Sequence, residues 1–322
     1  MTSGPDSGVD KELLLVEARI RDAIRSREVL LSEIAEYVIS AGGKRIRPMV
    51  ALLANRAVGG RNLEKTVDMA AALELIHSAT LLHDDINDGG ILRRGREAAY
   101  RKYGVHNALV AGDFLFVQAF AIGGTFDREI VELTAKVCTS LAEAEIVQKR
   151  HAGDLSWTRE QYLDVIQRKT AMPISAGARI GAMLGGGTPD EVEALTLYGL
   201  NLGIAFQIVD DILDIVGDPA ILGKPVGTDL REGNVTLLVL HALNDGSERR
   251  AQLTEILRRR EKPDDLVGRG LALIRESGAV ERARVDAEHF GFLAREALDG
   301  VRPGPHRDAL ARLADFVVQR NA

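Results

Sequence analysis

The sequence has little cysteine and few aromatic residues. One cysteine, Cys138, stands among 322 residues, so an internal disulfide is excluded. Aromatic residues make up 4% of the chain, and Trp157 is the only tryptophan. A core of this size must therefore be built from Leu, Ile, Val and Ala, which favours helices over sheets. The first ten residues are polar, acidic and rich in Gly and Ser, without an Arg-led apolar run, which predicts a cytoplasmic protein whose residues 1–10 form a disordered tail.

An excess of positive charge is also lacking. The chain has 41 Lys and Arg against 47 Asp and Glu, a net charge of −6. No nucleic-acid partner is therefore expected, and basic residues that bind a ligand must be gathered locally. The longest apolar run, residues 108–126, approaches membrane-spanning length but contains Asp113 and Gln118. It predicts a buried helix and no integral membrane segment.

Helical periodicity is present along nearly the whole chain, and no stretch shows sustained two-residue alternation. The pattern predicts roughly ten to thirteen helices. No Pro/Ser-rich linker divides them, so a single all-α domain of stacked antiparallel helices over residues 1–322 is expected. The helices are separated by glycine and proline at Gly42-Gly43, Gly59-Gly60, Gly89-Gly90, Gly123-Gly124, Gly185–Gly187, Gly217–Pro219 and Pro263.

Two segments, Ala79–Asp88 and Ala205–Asp214, are apolar helices that each end in Asp-Asp-x-x-Asp. On a helix, Asp84 and Asp88 share one face and Asp85 is turned about 100° away. Like charges at the C-terminal end of a helix repel each other and the helix dipole, and hard divalent cations would relieve that repulsion. Without cysteine or paired histidine ligands, the pattern favours magnesium over zinc. A solvated acidic helix end is the alternative for one copy, and two copies argue against it.

Basic residues cluster at three places that could bind an anion. Gly42–Pro48 is a basic loop that enters a helix at Pro48, and Arg93-Arg94-Gly95 follows the first aspartate cluster directly. Lys169 and Lys224 lie in the second half. Magnesium held by few carboxylates usually shares its coordination with phosphate oxygens, so these cations suggest a phosphate ligand.

Six motifs follow one another along the chain: Gly-Gly-Lys-x-x-Arg-Pro, Asp-Asp-x-x-Asp followed by Arg-Arg-Gly, Gly112-Asp113-Phe114, Lys169-Thr170-Ala171, Phe206-Gln207 with the second Asp-Asp-x-x-Asp, and Gly-Lys-Pro-x-Gly-x-Asp-Leu. In this order they resemble the motifs of the trans-prenyl diphosphate synthases. The resemblance runs from about Lys11 to the C-terminus. It implies an all-α bundle around a deep cavity and a homodimeric prenyltransferase. It also implies that isopentenyl diphosphate elongates an allylic diphosphate with the help of Mg²⁺.

The resemblance also assigns roles to individual residues. The direct ligands of about three magnesium ions per site would be Asp84, Asp88 and Asp210. Support through water or hydrogen bonds would come from Asp85, Asp211 and Asp214. The allylic diphosphate would be held by Arg93, Lys169 and Lys224. The isopentenyl diphosphate would be held by Lys44, Arg47, His77 and Arg94. These aspartates and cations, with two diphosphates of roughly −3 each and three Mg²⁺, sum to about zero charge.

By the same resemblance, Thr170, Gln207 and the carbonyl of Lys169 would face the carbocation that remains when diphosphate leaves, and the released diphosphate would remove the proton. Pro173 gives a local reason, because it has no N–H to bond the carbonyl four residues back, which is that of Lys169. A simple helix kink is the alternative. The family pattern Gly-Lys-x-Thr-Leu-Pro reads Gly233–Leu238 here with Asn234 in place of lysine. The change predicts either lowered substrate affinity or altered chain elongation, unless another cation fills the place.

Product length is expected from the residues before the first aspartate cluster. Short-chain members of the family often have bulky aromatics four and five positions before the first Asp, where this chain has Thr80 and Ala79. Both are too small to close a cavity. The next side chains that could stop the growing product would be Ile76 and, on the neighbouring helix, Phe116 and Phe120. A helix rises about 5.4 Å per turn, near the reach of one isoprene unit, so a product of about twenty carbons or more is expected, geranylgeranyl diphosphate or longer.

Three other functions are compatible with an all-α chain of this kind. A non-catalytic subunit of a heteromeric synthase would be marked by loss of the aspartate clusters, and both are intact. A terpene cyclase would lack the isopentenyl diphosphate site, against which Lys44, Arg47 and Arg94 argue. A plain helical scaffold would need none of these polar groups.

Overall fold

The computed structural model describes residues 8–223, 225–244 and 248–320, with only the backbone of residues 220 and 221. In these residues the chain forms seventeen α-helices, one π-helical turn (Gln167–Ala171), one 3-10 turn (Leu298–Gly300) and one hairpin that pairs β1 (Leu92–Arg93) with β2 (Arg96–Glu97). The helices are α1 (Asp10–Ala23), α2 (Val29–Ile39), α3 (Ile46–Ala57), α4 (Glu64–Asp88), α5 (Ala99–Tyr103), α6 (Val105–Gly123), α7 (Arg128–Arg150), α8 (Arg159–Ile166), α9 (Met172–Leu184), α10 (Pro189–Val216), α11 (Pro219–Leu222), α12 (Thr228–Glu232), α13 (Leu237–Leu243), α14 (Glu248–Arg258), α15 (Asp264–Glu276), α16 (Ala279–Ala297) and α17 (Pro305–Val318).

The all-α fold predicted from periodicity is confirmed, and the predicted glycine and proline breaks lie between helices. For example, α4 ends at Asp88 and Gly89 follows it in the left-handed conformation, with φ of 65°. The number of helices was predicted too low. Helices as short as α11 and α12, with four and five residues, contain too few turns to show a 3.6-residue period. The two-residue strands escape a search for alternation for the same reason.

Two clusters of buried apolar side chains form the core, and α10 contributes to both. Its first half, including Leu195 and Leu202, packs in the cluster to which α1 to α6, α9 and α17 contribute. Its second half, including Ile208 and Ile212, packs in the cluster built by α8 and α12 to α16. Because this one 28-residue helix belongs to both clusters, the two clusters are joined. This favours the single domain expected from the sequence. Order begins earlier than expected, because Val9 is fully buried although residues 1–10 were assigned to a tail.

The apolar helix predicted at residues 108–126 is α6, and the prediction that it is buried is wrong for one of its faces. Leu115 and Ala119 are buried against α4, whereas Val117 and Phe120 are 60% and 52% exposed. By length and composition, α6 and α10 are both apolar enough to cross a membrane, with 33% and 61% of their most apolar windows buried. A core helix passes the same test, and α10 fits that description.

Glycine allows α10 to approach the π-helical turn closely. A β-carbon at Gly203 would lie 2.4 Å from the Cα of Ala171, which is the last residue of that turn. A β-carbon at Gly199 would likewise lie 2.7 Å from the Cα of Ser175 in α9. The backbone of α10 therefore fixes the position of the turn that carries Lys169 and Thr170.

We expect Gly203→Ala to destabilise the protein by roughly 1–3 kcal/mol, because the added methyl group would have to displace backbone atoms of the π-helical turn. The free energy of unfolding in urea measures the effect. Gly268→Ala is the matched control, since Gly268 also lies within a helix and no atom lies within 4 Å of its added methyl group. The control should be neutral or stabilised by about 0.5–1 kcal/mol. Equal stabilities of the two variants would contradict the close approach.

Candidate active site

The C-terminal ends of α4 and α10 meet at one cavity of about 550 Å³. Asp84, Asp85 and Asp88 come from α4, and Asp211 and Asp214 come from α10. Both aspartate clusters predicted from the sequence are therefore brought to one site. The remaining polar lining residues include Arg93, Glu145, Gln148, Lys149, Tyr162, Lys169, Thr170, Gln207, Asp229, Arg231, Glu232 and Asn234, and the apolar ones include Trp157, Val165, Ile166 and Val235.

The first aspartate cluster is crowded with negative charge. Burial raises the pKa of Asp84 to about 6, and Glu145 and Asp88 add to the effect, although Lys169 and Arg93 oppose it. The carboxylate of Asp88 forms a close ion pair with Lys149. Asp85 is buried and accepts a hydrogen bond from Arg93 Nε at 2.8 Å. The negative charges of this cluster are thus poorly solvated and repel one another. A bound cation would relieve that repulsion.

The second cluster divides its three aspartates between two environments. Asp211 is buried, accepts from Tyr162 Oη at 2.7 Å and from Gln207 Nε2 at 2.8 Å, and has a pKa well above the usual value because of burial. Asp214 is buried too and accepts the backbone N–H groups of residues 228 and 229 at 3.3 and 3.1 Å, which anchors the start of α12.

Asp210, in contrast, is not among the lining residues of the cavity. Its carboxylate lies 3.1 Å from Arg320 Nη1, and the guanidinium of Arg320 also lies 4.9 Å from the ring centroid of Phe206. The expectation that Asp210 faces the same metal site as Asp84 therefore stays a prediction. The C-terminal Arg320 was not anticipated, because it lies outside every motif.

The π-helical turn presents Lys169 and Thr170 to the cavity. Lys169 Nζ lies 2.5 Å from Glu145 Oε2 and donates to Gln148 Oε1 at 3.1 Å. Thr170 Oγ1 donates to Gln207 Oε1 at 2.7 Å. Pro173 lies in the first turn of α9, directly after the widened π-helical turn. That it leaves the carbonyl of Lys169 free to face the substrate stays a prediction.

A cluster of arginines surrounds His77 beside this cavity. The pKa of His77 is well below its usual value because of burial and because of the charges of Arg47, Arg94, Arg93 and Arg45, so His77 is neutral at pH 7. The structure thus brings His77 together with Arg47 and Arg94, as the sequence resemblance implied.

Two loops frame this arginine cluster. The guanidinium of Arg94 donates to the carbonyl of Gly42, and Arg45 and Arg94 are the described non-glycine residues with positive φ, at 49° and 52°. Arg45 is occupied by Glu17 and Glu74, at 2.6 Å each. Lys44 Nζ lies 5.4 Å from the ring of Phe316. The backbone is strained at Arg45 and Arg94, and the guanidinium groups of Arg47 and Arg94 form no ion pair among the described residues. Both features favour an anion site.

Several functional candidates carried no recognisable sequence pattern. Glu145 and Lys149 lie one turn apart on α7, and Glu232 ends α12. These residues add two carboxylates and one ammonium that the charge count from the sequence did not include. Their only signal in the sequence is the one-turn spacing of opposite charges on α7, which is common on exposed helices. Lys224, expected to bind the allylic diphosphate, lies outside the described residues.

The five residues expected to control product length lie away from the described cavity lining. Ala79 and Ile76 are buried, and Thr80 is half-buried with its hydroxyl donating to the carbonyl of His77 at 2.8 Å. Phe116 is half-buried, with its ring 6.1 Å from that of His83. Phe120 points outward on α6, so the expectation that it closes the cavity of its own chain is wrong.

No three His, Cys, Asp or Glu side chains in the described residues are close enough to one another to hold a metal ion on their own. Asp84 and Asp88 offer two carboxylates one helical turn apart. Magnesium is commonly bound by one or two carboxylates, with water and substrate phosphates completing its coordination. The donor set therefore fits a magnesium ion that binds together with a phosphate ligand.

Comparison with known proteins gives a consistent family. The polyprenyl synthetase family profile matches residues 28–273. The chain is 40% identical to the short chain isoprenyl diphosphate synthase of Methanothermobacter thermautotrophicus and 38% identical to the octaprenyl diphosphate synthase of Escherichia coli, over 95% of each chain in both cases. It matches the crystal structure of a Caulobacter crescentus polyprenyl synthase complexed with calcium and isoprenyl diphosphate, with a TM-score of 0.94 and 39% identity over 98% of this chain and 96% of that one.

We expect the stability of the metal-free protein to fall as the pH rises from about 5 to 8, in part through Glu232. Burial and Asp88 raise the pKa of Glu232 to about 7 in the folded state. Between its ordinary pKa and this value the folded state keeps the proton and the unfolded chain has lost it. The free energy of unfolding therefore falls as the pH rises through this range. Glu232→Gln should remove roughly 1–3 kcal/mol of that pH dependence, measured by urea unfolding in chelator at each pH. The exposed Glu261→Gln is the control, and parallel curves for wild type and Glu232→Gln would contradict the assignment.

Proposed function

This chain belongs to the polyprenyl synthetase family and is a prenyltransferase, and on that premise we propose that it condenses isopentenyl diphosphate with an allylic diphosphate in a magnesium-dependent reaction to give a polyprenyl diphosphate of about twenty carbons or more. The observation that carries the proposal is the meeting of both aspartate clusters with Lys169 and Arg93 at one cavity, next to a separate arginine cluster around His77. Two adjacent sites, one able to hold metal and one rich in arginine, suit two diphosphates.

The first of these sites suits the allylic diphosphate. Lys169 and Arg93 line the cavity beside Asp84, Asp85 and Asp88. The pKa of Lys169 is raised despite burial, through Asp84 and Glu145, so its ammonium stays charged at neutral pH. Lys224 joins this set by resemblance. The C. crescentus relative was crystallised with calcium, which supports a divalent cation at the corresponding place.

The second site suits isopentenyl diphosphate. Arg47, Arg94 and the neutral His77 offer hydrogen-bond donors there, and Lys44 joins this set by resemblance. A cyclase that ionises an allylic diphosphate without a second diphosphate would have no use for this arginine cluster. The cluster therefore favours the condensing reaction.

Asp84, Asp88 and Asp210 are the residues that would hold magnesium. The bound metal would supply Lewis-acid stabilisation of the diphosphate as it leaves the allylic carbon. Lys169 and Arg93 would hold the same diphosphate by charge-assisted hydrogen bonds that strengthen as its negative charge grows. The allylic C–O bond breaks, and the isopentenyl double bond forms the new C–C bond to the allylic carbon.

Thr170 and Gln207 are hydrogen-bonded to each other at the wall of the cavity, where their oxygens would face the allylic cation. His77 is neutral and is surrounded by arginines, so it would donate to phosphate and take no proton from carbon. The proton lost from the isopentenyl unit would pass to the released diphosphate, as the family resemblance implies. The apolar walls at Trp157 and Ile166 exclude water from the cation.

The exposed face of α6 suits a second copy of this chain. Val117 and Phe120 lie on it within a helix whose other face is buried. We propose that this face forms the homodimer expected from the sequence, because one soluble chain rarely exposes large apolar side chains in a row. The cytoplasmic location expected from the sequence stays a prediction.

We propose a product of twenty carbons or more because neither Ala79 nor Thr80 carries a bulky side chain. The names of the relatives do not select a length, since one is a short chain synthase and another an octaprenyl synthase. Incubation with radiolabelled isopentenyl diphosphate and each allylic primer, with products sorted by length, tests the activity and the length together.

We expect Asp84→Ala and Asp210→Ala each to reduce turnover to less than about a tenth of the wild-type rate at saturating magnesium, because each removes a proposed metal ligand. The thermal midpoint of metal-free Asp84→Ala should equal or exceed that of wild type, because the raised pKa of Asp84 indicates an unfavourable buried charge. Asp22→Ala, on an exposed part of α1, is the control. A folded Asp84→Ala variant with near wild-type turnover would refute the metal assignment.

Replacing Thr80 or Ala79 by Phe should shorten the product, because the ring would occupy space that a later isoprene unit needs. Ala79 is fully buried, so Ala79→Phe also risks overpacking that costs roughly 1–3 kcal/mol, whereas the half-buried Thr80 has more room. Thr80→Ser retains the hydroxyl and is the control with unchanged products. If both Phe variants fold and still make the wild-type products, or if the wild-type enzyme stops at farnesyl, this face of α4 does not line the chain cavity.

A further inference from the structure

Asn234 occupies a place that suits a donor-only cationic side chain. Its Nδ2 donates to Asp229 Oδ1 at 3.0 Å and to Glu232 Oε2 at 3.2 Å, so two carboxylates converge on it. Its Oδ1 is buried and has no hydrogen-bond partner among the described residues. A lysine, as in the family pattern, would satisfy both carboxylates and leave no acceptor unpaired. The substitution by asparagine therefore removes a positive charge from a pair of acids that remain.

Lys149 brings an ammonium to the same carboxylate oxygen. Its Nζ lies 3.4 Å from Glu232 Oε2, the atom that Asn234 also contacts, and it forms a close ion pair with Asp88. Lys149, Glu232, Asp88 and Asn234 all line the cavity. Burial tends to lower the pKa of Lys149, but Asp88 and Glu232 outweigh it and raise the pKa, so the side chain is charged at neutral pH.

We propose that Lys149 supplies, from α7, the positive charge that the family pattern places at position 234, and that it binds a diphosphate oxygen in the cavity. The proposal rests on the proposed function for the identity of that ligand. Lys149 reaches the site from a different helix, and Glu232 is the carboxylate that it shares with Asn234.

The other nearby cations do not fit this role. Arg231 is held by Asp264 Oδ1 at 2.6 Å and by the carbonyl of Lys262 at 3.0 Å. The ammonium of Lys262 lies 3.6 Å from the position of a β-carbon at Gly233, but it does not line the cavity. Burial alone lowers the pKa of Lys262, and no carboxylate in the described ranges pairs with it. Lys149 is the cation that shares the carboxylate with Asn234.

A charge relocation experiment tests the proposal. Lys149→Met should weaken the binding of inorganic pyrophosphate in the presence of Mg²⁺ about tenfold, the loss expected for one charge-assisted contact, as measured by titration calorimetry. Lys149→Met/Asn234→Lys should recover affinity to within about threefold of wild type. Asn234→Lys alone should gain less than about threefold, because the two ammonium groups would repel each other at one carboxylate.

Arg150→Met is the matched control, since Arg150 adjoins Lys149 on α7 but is exposed and does not line the cavity. Its pyrophosphate affinity should equal that of wild type. Lys149→Gln, which keeps a polar side chain, serves if the Met variant does not fold, and it should show the same loss and the same rescue by Asn234→Lys. Thermal unfolding of each variant confirms that it is folded.

Three results would overturn the proposal: wild-type pyrophosphate affinity in folded Lys149→Met, no recovery in the folded double variant, or a loss of affinity in Lys262→Met that Asn234→Lys rescues. The test is separate from that of the proposed function. A wild-type protein that binds pyrophosphate but forms no prenyl product, with a successful rescue, would refute the proposed function and leave the assignment of Lys149 intact. Prenyl product formation without rescue would refute only the role of Lys149.

Discussion

The structure depends on holding many carboxylates together at the edge of a cavity that solvates them poorly. The raised pKa values of Asp84, at about 6, and of Glu232, at about 7, show how far burial and mutual repulsion act on these acids. Several of these acids have a cation within reach, whereas Asp211 is held by Tyr162 and Gln207. Lys169 is close to Asp84 and paired with Glu145, and Lys149 pairs with Asp88. The number and positions of these cations decide whether the site is stable without ligand and whether it can bind one.

Helix packing keeps this charge arrangement in place. Both aspartate clusters stand in the last turns of long helices whose apolar faces are buried, so their positions are set by the core and not by a loop. Gly203 lets α10 lie against the π-helical turn, which delivers Lys169 and Thr170 to the cavity. Pro173 follows this turn and has no N–H to bond the carbonyl of Lys169. The geometry of the site is thus a property of the helix bundle.

Much of this could be predicted from the sequence because its signals are local. The period of 3.6 residues identified the helices, and the two Asp-Asp-x-x-Asp segments identified α4 and α10 as the helices of the site. The outward face of α6 could not be predicted, since periodicity does not say what covers an apolar face. Lys149 escaped prediction because its partners Asp88 and Glu232 lie 61 and 83 residues away in the sequence. Glu145 escaped it because its partner Lys169 lies on another helical segment. No local sequence pattern encodes such contacts. Short elements such as α12 escaped because they have no period.

Three of the six aspartates are paired with internal cations, which would help the site to accept a ligand of high charge. Arg93 pairs with Asp85, Lys149 with Asp88, and Arg320 with Asp210. Asp85, Asp88 and Asp210 could release these cations if a metal and a diphosphate bound together, and Arg93, Lys149 and Arg320 would then be free to bind phosphate oxygens. Charges of both signs would enter the cavity together, which limits the uncompensated charge there. Metal and diphosphate would then bind cooperatively, because each would free the partner that the other needs.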